Sequence, residues 1–419
     1  MTVQFQKGTG MYTEITKCRL CNSRNLVSVL SLGEQYLTGV FPKSLKEKVT
    51  KGPLDLVWCS ECSLLQLRQT YCSEEMYGDN YGYRSGLNKS MVQHLEQKIK
   101  TLEFLARIDK DDLVLDIGSN DATSLKAYKA KCTKVGIDPT GLKFKDFYTD
   151  EIILIADFFS ADKFISLFPD RKAKVITSIA MFYDLEDPLQ FVEDIEKCLD
   201  NEGIWHFEQS YMPSMLRTNS YDTICHEHLE FYSFKVVKAV LESKGLRVTD
   251  LVMNAVNGGS FAVTACKKNA SFTSNIPIIN WMLKQEESLA LDTPKPYRDF
   301  EEKTFKHRAN LKGLIEALKE DGKKVLGYGA STKGNVLLQF CGLTIEHLPY
   351  IAEVNPDKFG SFTPGTNIPI ISEEEARAMM PDYFLVLPWH FKSSILEREK
   401  DFLAQGGKLI FPLPEIEIV

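Results

Sequence analysis

Two pairs of cysteines near the beginning of the chain have the spacing of a metal site. Cys18 and Cys21 are separated by two residues, and so are Cys59 and Cys62. A C-x₂-C turn presents two sulfurs to one ion, and two such turns complete the tetrahedral four-thiolate shell of a zinc site. Because this shell has no open position and no His or carboxylate ligand, we expect the zinc to be structural. The alternative is four ordinary buried cysteines.

A second group of residues suited to chemistry is the polar run of His226, Glu227 and His228. It follows a predicted fifth strand, and in an open α/β sheet such a loop leaves the carboxyl edge, where ligands bind. An imidazole beside a carboxylate can have a pKa near neutrality, which suits removal of a proton next to a carbonyl group. We therefore treat the three residues as candidate catalytic groups, and Tyr221 in the same segment as a candidate substrate contact. The alternative is a hydrogen-bonded network that caps the fifth strand.

The segment DLVLDIGSND, residues 112–121, predicts the element that positions this chemistry. It has the form of a buried strand that runs into a glycine-containing turn, and the helix ATSLKAYKA follows. The turn has Asp116 and a single Gly118 in place of G-x-G-x-x-G. This form is typical of S-adenosylmethionine sites, in which the backbone approaches the amino-acid end of the cofactor and a carboxylate meets its ammonium group.

Acidic residues also end the next two predicted strands. Asp138 ends strand two, where a carboxylate can accept both ribose hydroxyls. Asp157 and Phe158 end strand three, where an acid can bond the adenine amino group and a ring can pack on its face. The alternative is a Rossmann-like domain for another nucleoside. The candidate cofactor-binding residues are Asp116, Gly118, Ser119, Asn120, Asp121, Asp138, Pro139, Asp157, Phe158 and Ala180.

The segment between the second cysteine pair and this domain is too polar for a core strand. It contains Tyr81, Tyr83 and Arg84, which we predict to line a pocket for a polar ligand. The alternative is that the tyrosines lie on the surface of a connecting loop. Residues 87–107 follow with apolar residues at helical spacing, so a helix leads into the next domain.

The last third of the chain begins with a second glycine-containing turn, KKVLGYGASTKGN. Lys333 and Asn335 lie at the start of the predicted helix, which suits a phosphate. Glu353 ends the next strand, at the distance of a ribose from the turn. If this turn bound NAD(P), the protein would be an oxidoreductase; against this, Thr332 replaces the third glycine of the fingerprint.

Composition limits the class of protein. A length of 419 residues predicts two to four domains, and 44% hydrophobic residues can fill ordinary cores. The net charge of −7 argues against nucleic-acid binding, which usually requires a basic surface. No apolar run is long enough for a signal peptide or a membrane helix, and the six remaining cysteines are scattered, so we expect a cytoplasmic protein without disulfides.

Taken together, these motifs resemble the sugar C-methyltransferases of deoxysugar biosynthesis. The resemblance extends over nearly the whole chain and is carried by the four-cysteine module, SND after strand one, YDTIxHEH, and GYGASTKGN near residue 330. It implies a monomeric enzyme whose C-terminal domain helps to enclose a nucleotide-linked keto sugar. It also implies that His228 is the base, with Glu227 beside it, and that the resulting enolate carbon attacks the methyl group of S-adenosylmethionine.

The chain departs from the pattern of this family at three positions. Ala122 replaces the glycine that usually follows SND, and Cys225 replaces the aromatic residue, usually Tyr, that commonly precedes HEH. Tyr183 and Asp184 stand where the family often has a His after strand four. Asp184 is therefore added to the candidate catalytic groups. The last two departures concern groups that handle protons, so methyl transfer to an oxygen or a nitrogen remains an alternative to carbon methylation.

The predicted fold class is α/β. A small zinc-binding domain (residues 1–75) precedes a class I, Rossmann-like S-adenosylmethionine methyltransferase domain (76–270), and a C-terminal Rossmann-like substrate-binding domain (271–419) completes the chain. The predicted function is methyl transfer to a nucleotide-linked keto-deoxysugar. An NAD(P)-dependent sugar-nucleotide oxidoreductase and an inactive scaffold are the remaining alternatives.

Overall fold

The computed structural model describes residues 12–72, 76–77 and 83–419. The N-terminal domain is built from antiparallel strands on either side of the cysteine pairs. The strands are β1 (Tyr12–Glu14), β2 (Leu26–Tyr36), β3 (Lys51–Cys59), β4 (Leu65–Leu67) and β5 (Gln69–Tyr71). β2 and β3 form an antiparallel hairpin between the two cysteine pairs. β4 pairs with β3, and β1 pairs with β5.

Helix α1 (Lys89–Ala106) connects this domain to the central sheet. Its buried residues recur at helical spacing, which agrees with the predicted helix over residues 87–107. The Asn88 side chain caps the first turn by accepting a hydrogen bond from the backbone N–H of Ser90. The helix ends at Arg107, which has φ +50° in the left-handed region that commonly terminates helices.

The central domain contains a seven-stranded sheet of the class I methyltransferase type. Its elements are β6 (Leu113–Ile117), α2 (Thr123–Ala127), β7 (Thr133–Ile137), β8 (Ile152–Ile155), α3 (Ala161–Leu167), β9 (Ala173–Ile179), α4 (Pro188–Cys198), β10 (Leu199–Ser210), α5 (Met212–Thr218), β11 (Glu230–Phe231), α6 (Phe234–Ser243), β12 (Leu246–Asn254) and β13 (Ser260–Lys267). The strand order is β12-β13-β10-β9-β6-β7-β8, and β13 runs antiparallel to both of its neighbours. The carboxyl ends of the parallel strands therefore meet at one edge, where such sheets bind ligands.

Strand β11 belongs to the central domain in sequence but not in pairing. Glu230 and Phe231 pair with Gln66 and Leu65 of β4, which extends the N-terminal sheet to the order β11-β4-β3-β2. The backbone N–H of Leu67 also donates to the carbonyl of Leu229 at 2.8 Å. The segment that follows His228 is thus held by the cysteine-containing domain.

The C-terminal region forms a second α/β sheet. Its elements are α7 (Ile276–Ser288), α8 (Lys295–Glu320), β14 (Val325–Tyr328), α9 (Thr332–Cys341), β15 (Ile351–Glu353), β16 (Ile370–Ser372), α10 (Glu373–Ala378), β17 (Tyr383–Val386), α11 (Lys392–Arg398), α12 (Lys400–Ala404), β18 (Lys408–Phe411) and β19 (Glu417–Ile418). The strand order is β16-β15-β14-β17-β18-β19, parallel except for β19. None of the helices in the described part of the chain combines the length and apolar character needed to cross a bilayer.

Helix α7 packs with the central domain. Ile279 and Met282 are buried in the core of that domain. The carboxylate of Glu286 accepts hydrogen bonds from the backbone N–H groups of Phe234 and Lys235 at 2.6 and 2.8 Å, which caps α6. The predicted division at residues 270 and 271 therefore leaves one helix of the C-terminal segment in contact with the core of the methyltransferase sheet.

The C-terminal and N-terminal domains also touch each other. Asn335 on α9 donates from Nδ2 to the carbonyl of Thr38 at 2.8 Å. Gln339, one turn later, accepts from the backbone N–H of Tyr36 at 2.7 Å. Since α9 also faces the carboxyl edge of the central sheet, all three domains meet around that edge.

Candidate active site

A cavity of about 440 Å³ lies at the carboxyl edge of the central sheet. Its walls come from the ends of the parallel strands, from α1, from the loop that carries His228, and from the start of α9. The ionisable side chains among its described lining residues, tyrosines apart, are Asp116, Asp138, Asp184, Glu208, Cys225, Glu227, His228 and Lys333. A base, several acids and one lysine therefore face the same volume as the predicted cofactor turn.

The turn after β6 is shaped for close approach of a ligand. Gly118 has φ +73°, and an added Cβ would lie 3.2 Å from the Met181 side chain. Ala122 has φ +59° and is buried. Glycine adopts this left-handed conformation without steric cost, whereas the Cβ of Ala122 is disfavoured there.

The acids at the ends of the first two strands are held by the surrounding protein. Asp138 accepts hydrogen bonds from the backbone N–H groups of Asn120 at 2.7 Å and Thr140 at 2.6 Å. Asp116 accepts from the Thr177 hydroxyl at 2.5 Å. Burial, which the Thr177 hydrogen bond opposes, raises the pKa of Asp116 to about 7, so a positively charged ligand group beside it would favour the ionised form.

Some of the predicted cofactor-binding residues line the cavity, and others do not. Gly118, Ser119, Asn120, Pro139, Phe158 and Ala180 line the cavity together with Asp116 and Asp138. Asp121 does not; it accepts from the backbone N–H of Gly86 at 2.9 Å and from the Thr123 hydroxyl at 2.5 Å. Asp157 is also absent from the described lining, because it is exposed and pairs with Lys163 at 2.7 Å. The acid at the end of strand three therefore faces solvent while Phe158 faces the cavity.

A hydrogen bond determines which ring nitrogen of His228 carries the proton. Its Nδ1 lies 2.7 Å from the carbonyl oxygen of Thr223. Because a carbonyl can only accept, Nδ1 carries the proton and Nε2 keeps its lone pair. The Tyr183 ring packs edge-on against the imidazole at 4.3 Å between centroids. Burial and the charge of Lys333 lower the pKa of His228 to about 3, which keeps the ring neutral. The expected pKa near neutrality is therefore wrong, because burial outweighs any effect of the neighbouring carboxylate.

Two carboxyl groups lie beside this base. Asp184 accepts a hydrogen bond from the Tyr77 hydroxyl at 3.1 Å. Its Oδ1 and the Oε2 of Glu227 are buried, and neither has a hydrogen-bond partner among the described residues. Burial raises the pKa of both groups, and the charge of Glu227 raises the pKa of Asp184 further. Unpartnered buried oxygens of this kind are suited to a ligand that enters the cavity.

Glu227 lies where the three domains meet. A Cβ on Gly39 of the N-terminal domain would lie 2.5 Å from Glu227 Oε1 and 3.7 Å from the Thr332 hydroxyl of the C-terminal domain. Only glycine fits at position 39 without displacing the carboxylate. The N-terminal domain thus contacts the carboxylate of Glu227 beside the cavity.

His226 points away from the cavity although it is two residues from His228. It is fully buried, its Nε2 lies 3.3 Å from the carbonyl of Gln35, and its ring packs edge-on against Tyr71. Burial lowers its pKa to about 3. The contacts of this imidazole are therefore with the N-terminal domain, and they do not bring it to the candidate site.

The predicted substrate residues are also divided. Tyr83 and Lys333 line the cavity, whereas Arg84 lies over the Phe147 ring at 4.5 Å, outside the described lining. Tyr221 is buried, and its hydroxyl oxygen lies 3.0 Å from His307 Nδ1. Asn335 and Glu353 are likewise outside the described lining, and the carboxylate of Glu353 accepts from the backbone N–H of Ala330 at 2.8 Å. Tyr81 lies outside the described residues.

Several lining residues were not predicted from the sequence. Gln209 is buried, and neither atom of its side-chain amide has a hydrogen-bond partner among the described residues. Glu208 beside it accepts from His94 at 2.7 Å and forms an ion pair with Lys98 at 2.6 Å. Tyr77 and Thr332 are further examples. The available signal was position, because Glu208 and Gln209 end strand β10, at the edge where ligands bind.

The four predicted metal ligands come together in the N-terminal domain. The sulfurs of Cys18, Cys21, Cys59 and Cys62 all lie within 4.8 Å of one another. Gln66 donates from Nε2 to the Cys18 sulfur at 3.2 Å, the kind of contact that orients a metal ligand. This donor set and spacing fit a tetrahedral structural zinc.

Comparisons with known proteins agree with this arrangement in all three parts of the chain. Residues 18–77 match a zinc binding domain family, residues 91–251 a methyltransferase domain family, and residues 255–414 the C-methyltransferase C-terminal domain family. Together with the fold and the cavity, these matches define the protein as an S-adenosylmethionine-dependent methyltransferase with a structural zinc domain. The chain is 30% identical to the C-methyltransferase NovU of Streptomyces niveus over 412 residues, which is 97% of each chain. It belongs to the C-methyltransferase family.

Solved structures resemble part of the chain. A magnesium protoporphyrin IX methyltransferase from Synechocystis, with bound S-adenosylhomocysteine, is 11% identical with a TM-score of 0.33, covering 46% of this chain and 92% of its own. An S-adenosylmethionine-dependent methyltransferase from Clostridium acetobutylicum is 12% identical with a TM-score of 0.33, covering 42% of this chain and 92% of its own.

Proposed function

We propose that this enzyme transfers a methyl group to a carbon atom of a nucleotide-linked keto-deoxysugar through an enolate that His228 generates. The observation that carries the proposal is the fixed tautomer of His228: Nδ1–H is bonded to Thr223 at 2.7 Å, and Nε2 is left to accept a proton at the cavity. The kinship to C-methyltransferases supports carbon as the acceptor, since carbon needs a base to become nucleophilic.

The cofactor site that we propose lies along the strand ends. Asp138 would accept the ribose hydroxyls with the lone pairs that its backbone contacts leave, and Phe158 would pack on the adenine. Asp116 would meet the ammonium group of the amino-acid end, which would favour its carboxylate form. The electrophile is the methyl group that S-adenosylmethionine supplies when bound.

The proton-transfer step that we propose uses His228 as a general base. Nε2 removes the proton from the carbon next to the ketone, and the electron pair of that C–H bond forms the carbon–carbon double bond of the enolate while the carbonyl oxygen takes the negative charge. Asp184 and Glu227 face the same volume. Because burial favours their protonated forms, one of them can donate a hydrogen bond to a sugar oxygen in the place of the aromatic hydroxyl that Cys225 lacks.

The test is proton exchange into nucleotide-linked keto sugars in deuterated water, followed by methyl transfer. Wild-type enzyme with S-adenosylhomocysteine is expected to exchange the proton next to the ketone. With S-adenosylmethionine it is expected to add about 14 mass units, the mass of one CH₂, at that carbon. His228→Asn should abolish the exchange. His347→Asn is the control, because His347 lies near Glu316 in the C-terminal domain, outside the described lining of the cavity. Methylation without exchange, on an oxygen or a nitrogen, would overturn the proposal.

A further inference from the structure

The cavity contains an uneven distribution of charge. Five carboxyl groups line it, but Lys333 is the one lysine or arginine among its described lining residues. Lys333 is the second residue of α9, so it comes from the C-terminal domain and reaches a volume that is otherwise built mostly from the central domain. Lys333 thus lines the same cavity as Cys225, Glu227 and His228. The preceding residue, Thr332, lies near Glu227, since a Cβ on Gly39 would be 2.5 Å from Glu227 Oε1 and 3.7 Å from the Thr332 hydroxyl.

The surroundings of Lys333 keep its charge close to the base. Burial lowers the pKa of Lys333, and the neighbouring Asp222 opposes that effect. Asp222 is fixed in turn by the indole of Trp389, which donates from Nε1 to Oδ2 at 2.8 Å. The charge of Lys333 lowers the pKa of both His228 and His390, in each case as a smaller effect than burial. The ammonium group therefore acts electrostatically on the imidazole that receives the proton.

We propose that the Lys333 ammonium group binds the carbonyl oxygen of the keto sugar and stabilises the enolate that His228 forms. This inference rests on the proposed function and adds a catalytic residue to it. When the C–H bond breaks and its proton moves to Nε2 of His228, the negative charge develops on the carbonyl oxygen, opposite the ammonium group. When the enolate carbon takes the methyl group, the carbon–sulfur bond of the bound donor would break with its electron pair staying on sulfur, so that S-adenosylhomocysteine would leave as a neutral thioether. The carbonyl bond re-forms, Lys333 keeps its proton, and His228 gives its proton to solvent, so no further acid is required.

The alternative role for Lys333 is to bind the diphosphate of the sugar nucleotide, as a lysine at a helix start can do. A diphosphate carries two negative charges, and the described lining of the cavity offers no second lysine or arginine. The carbonyl oxygen of an enolate requires only one cation, and the group that must be near it is the base. The presence of one lysine and one imidazole in the lining of the same cavity therefore favours the enolate.

The experiment measures exchange in deuterated water with a nucleoside-diphosphate 4-keto-6-deoxyhexose and S-adenosylhomocysteine. Lys333→Met is expected to lower the exchange rate at saturating sugar by about 10²- to 10³-fold, as loss of an oxyanion-stabilising group does, with KM changed less than about threefold. The acid limb of the pH–rate profile should also move to higher pH, because removal of a positive charge raises the pKa of His228. Lys323→Met is the matched control, since Lys323 lies at the surface of the same domain and pairs with Asp382.

Two outcomes separate this inference from the function on which it rests. If wild-type enzyme exchanges no sugar proton, the proposed function fails and Lys333 is not at issue. If wild-type enzyme exchanges but Lys333→Met retains its rate at saturating sugar, with KM raised by about tenfold or more, Lys333 binds the diphosphate and the inference is wrong. Binding of S-adenosylhomocysteine by the variant shows that it is folded; should that binding be lost, Lys333→Gln is measured in the same way, with the same two readings.

Discussion

The indole Nε1 of Trp389 donates a hydrogen bond to Asp222 Oδ2 at 2.8 Å, and this bond joins the C-terminal domain to the loop that carries His228. Both side chains are buried. The other oxygen of Asp222 has no hydrogen-bond partner among the described residues. The position of the loop that carries His228 therefore depends on a residue more than 150 positions away in the chain.

Trp389→Phe is expected to lower the free energy of unfolding by about 1–3 kcal/mol, because it leaves a buried carboxyl group without its donor. Sugar-proton exchange should fall while the affinity for S-adenosylhomocysteine stays unchanged, since the cofactor turn lies elsewhere. Urea unfolding measures the free energy of unfolding, and calorimetric titration measures the affinity for S-adenosylhomocysteine. Trp281→Phe, at an exposed tryptophan, should change neither. Equal loss of cofactor affinity would contradict this account of Trp389.

Zinc removal should impair the base more than the cofactor site. β11 follows His228 directly and pairs with β4 of the zinc domain, while Gln66 on β4 donates to the ligand Cys18. We expect Cys21→Ser to lose zinc and slow sugar-proton exchange while S-adenosylhomocysteine still binds. Metal analysis, exchange kinetics and titration test this, with Cys72→Ser as the control outside the cysteine cluster. Full exchange activity in zinc-free protein would show that the domains are independent.

Glycine at position 39 is expected to be required for catalysis rather than for stability. Because a Cβ there would lie 2.5 Å from Glu227 Oε1, Gly39→Ala should push the carboxylate out of place. The neighbour is the end of a flexible side chain, so the cost in unfolding free energy should be below about 1 kcal/mol while kcat falls. Gly313→Ala is the matched control, since no atom lies within 4 Å of its added Cβ. Unchanged kcat in Gly39→Ala would exclude a role for the position of Glu227.

Glu208 should contribute a pH-dependent part of the stability. Burial opposes its charge, but the contacts with His94 and Lys98 prevail and lower the pKa of Glu208 to about 2. A carboxyl group with a depressed pKa stabilises the folded state at pH values above 4.5, its pKa in the unfolded chain. This stabilisation is lost as the pH falls from 4.5 to about 2. The shift corresponds to about 3 kcal/mol.

Urea unfolding at pH 7 and pH 3 measures this contribution. In Glu208→Gln the difference in unfolding free energy between the two pH values should be smaller by most of that amount, because the titrating group is gone. Glu242→Gln, in an exposed ion pair with Lys238, should leave the difference unchanged. If the unfolding free energy of Glu208→Gln depended on pH as that of wild-type protein does, Glu208 would not make this contribution.

The exchange reaction should be insensitive to mild acid. Because burial first and Lys333 second lower the pKa of His228 to about 3, the neutral imidazole persists well below its ordinary value of 6.5. The rate at saturating sugar is therefore expected to stay level from pH 8 down to about pH 5.5. The same shift lowers stability as the pH falls below 6.5, since the unfolded chain then takes up the proton. A rate that halves near pH 6.5 would contradict the proposed environment of His228.

The sequence by itself determined the parts whose chemistry is set by short spacing. Two C-x₂-C turns specify four sulfurs for zinc, and a strand followed by DIGSND specifies a turn for a nucleoside cofactor. The fold class follows from the alternation of strands and helices, and the kinship to C-methyltransferases and the matching domain families confirm it.

Only the tertiary structure decided which of the candidate residues share a cavity. His226 and His228 are two residues apart, yet one contacts Gln35 of the zinc domain and the other lines the cavity. Lys333 lines the cavity together with His228, while Glu353, on the following strand, bonds to the backbone of its own turn. In each case the direction of a side chain in a loop or at a helix start is set by contacts with distant segments. Local spacing carries no record of those contacts, so the sequence could name the groups but not assemble them.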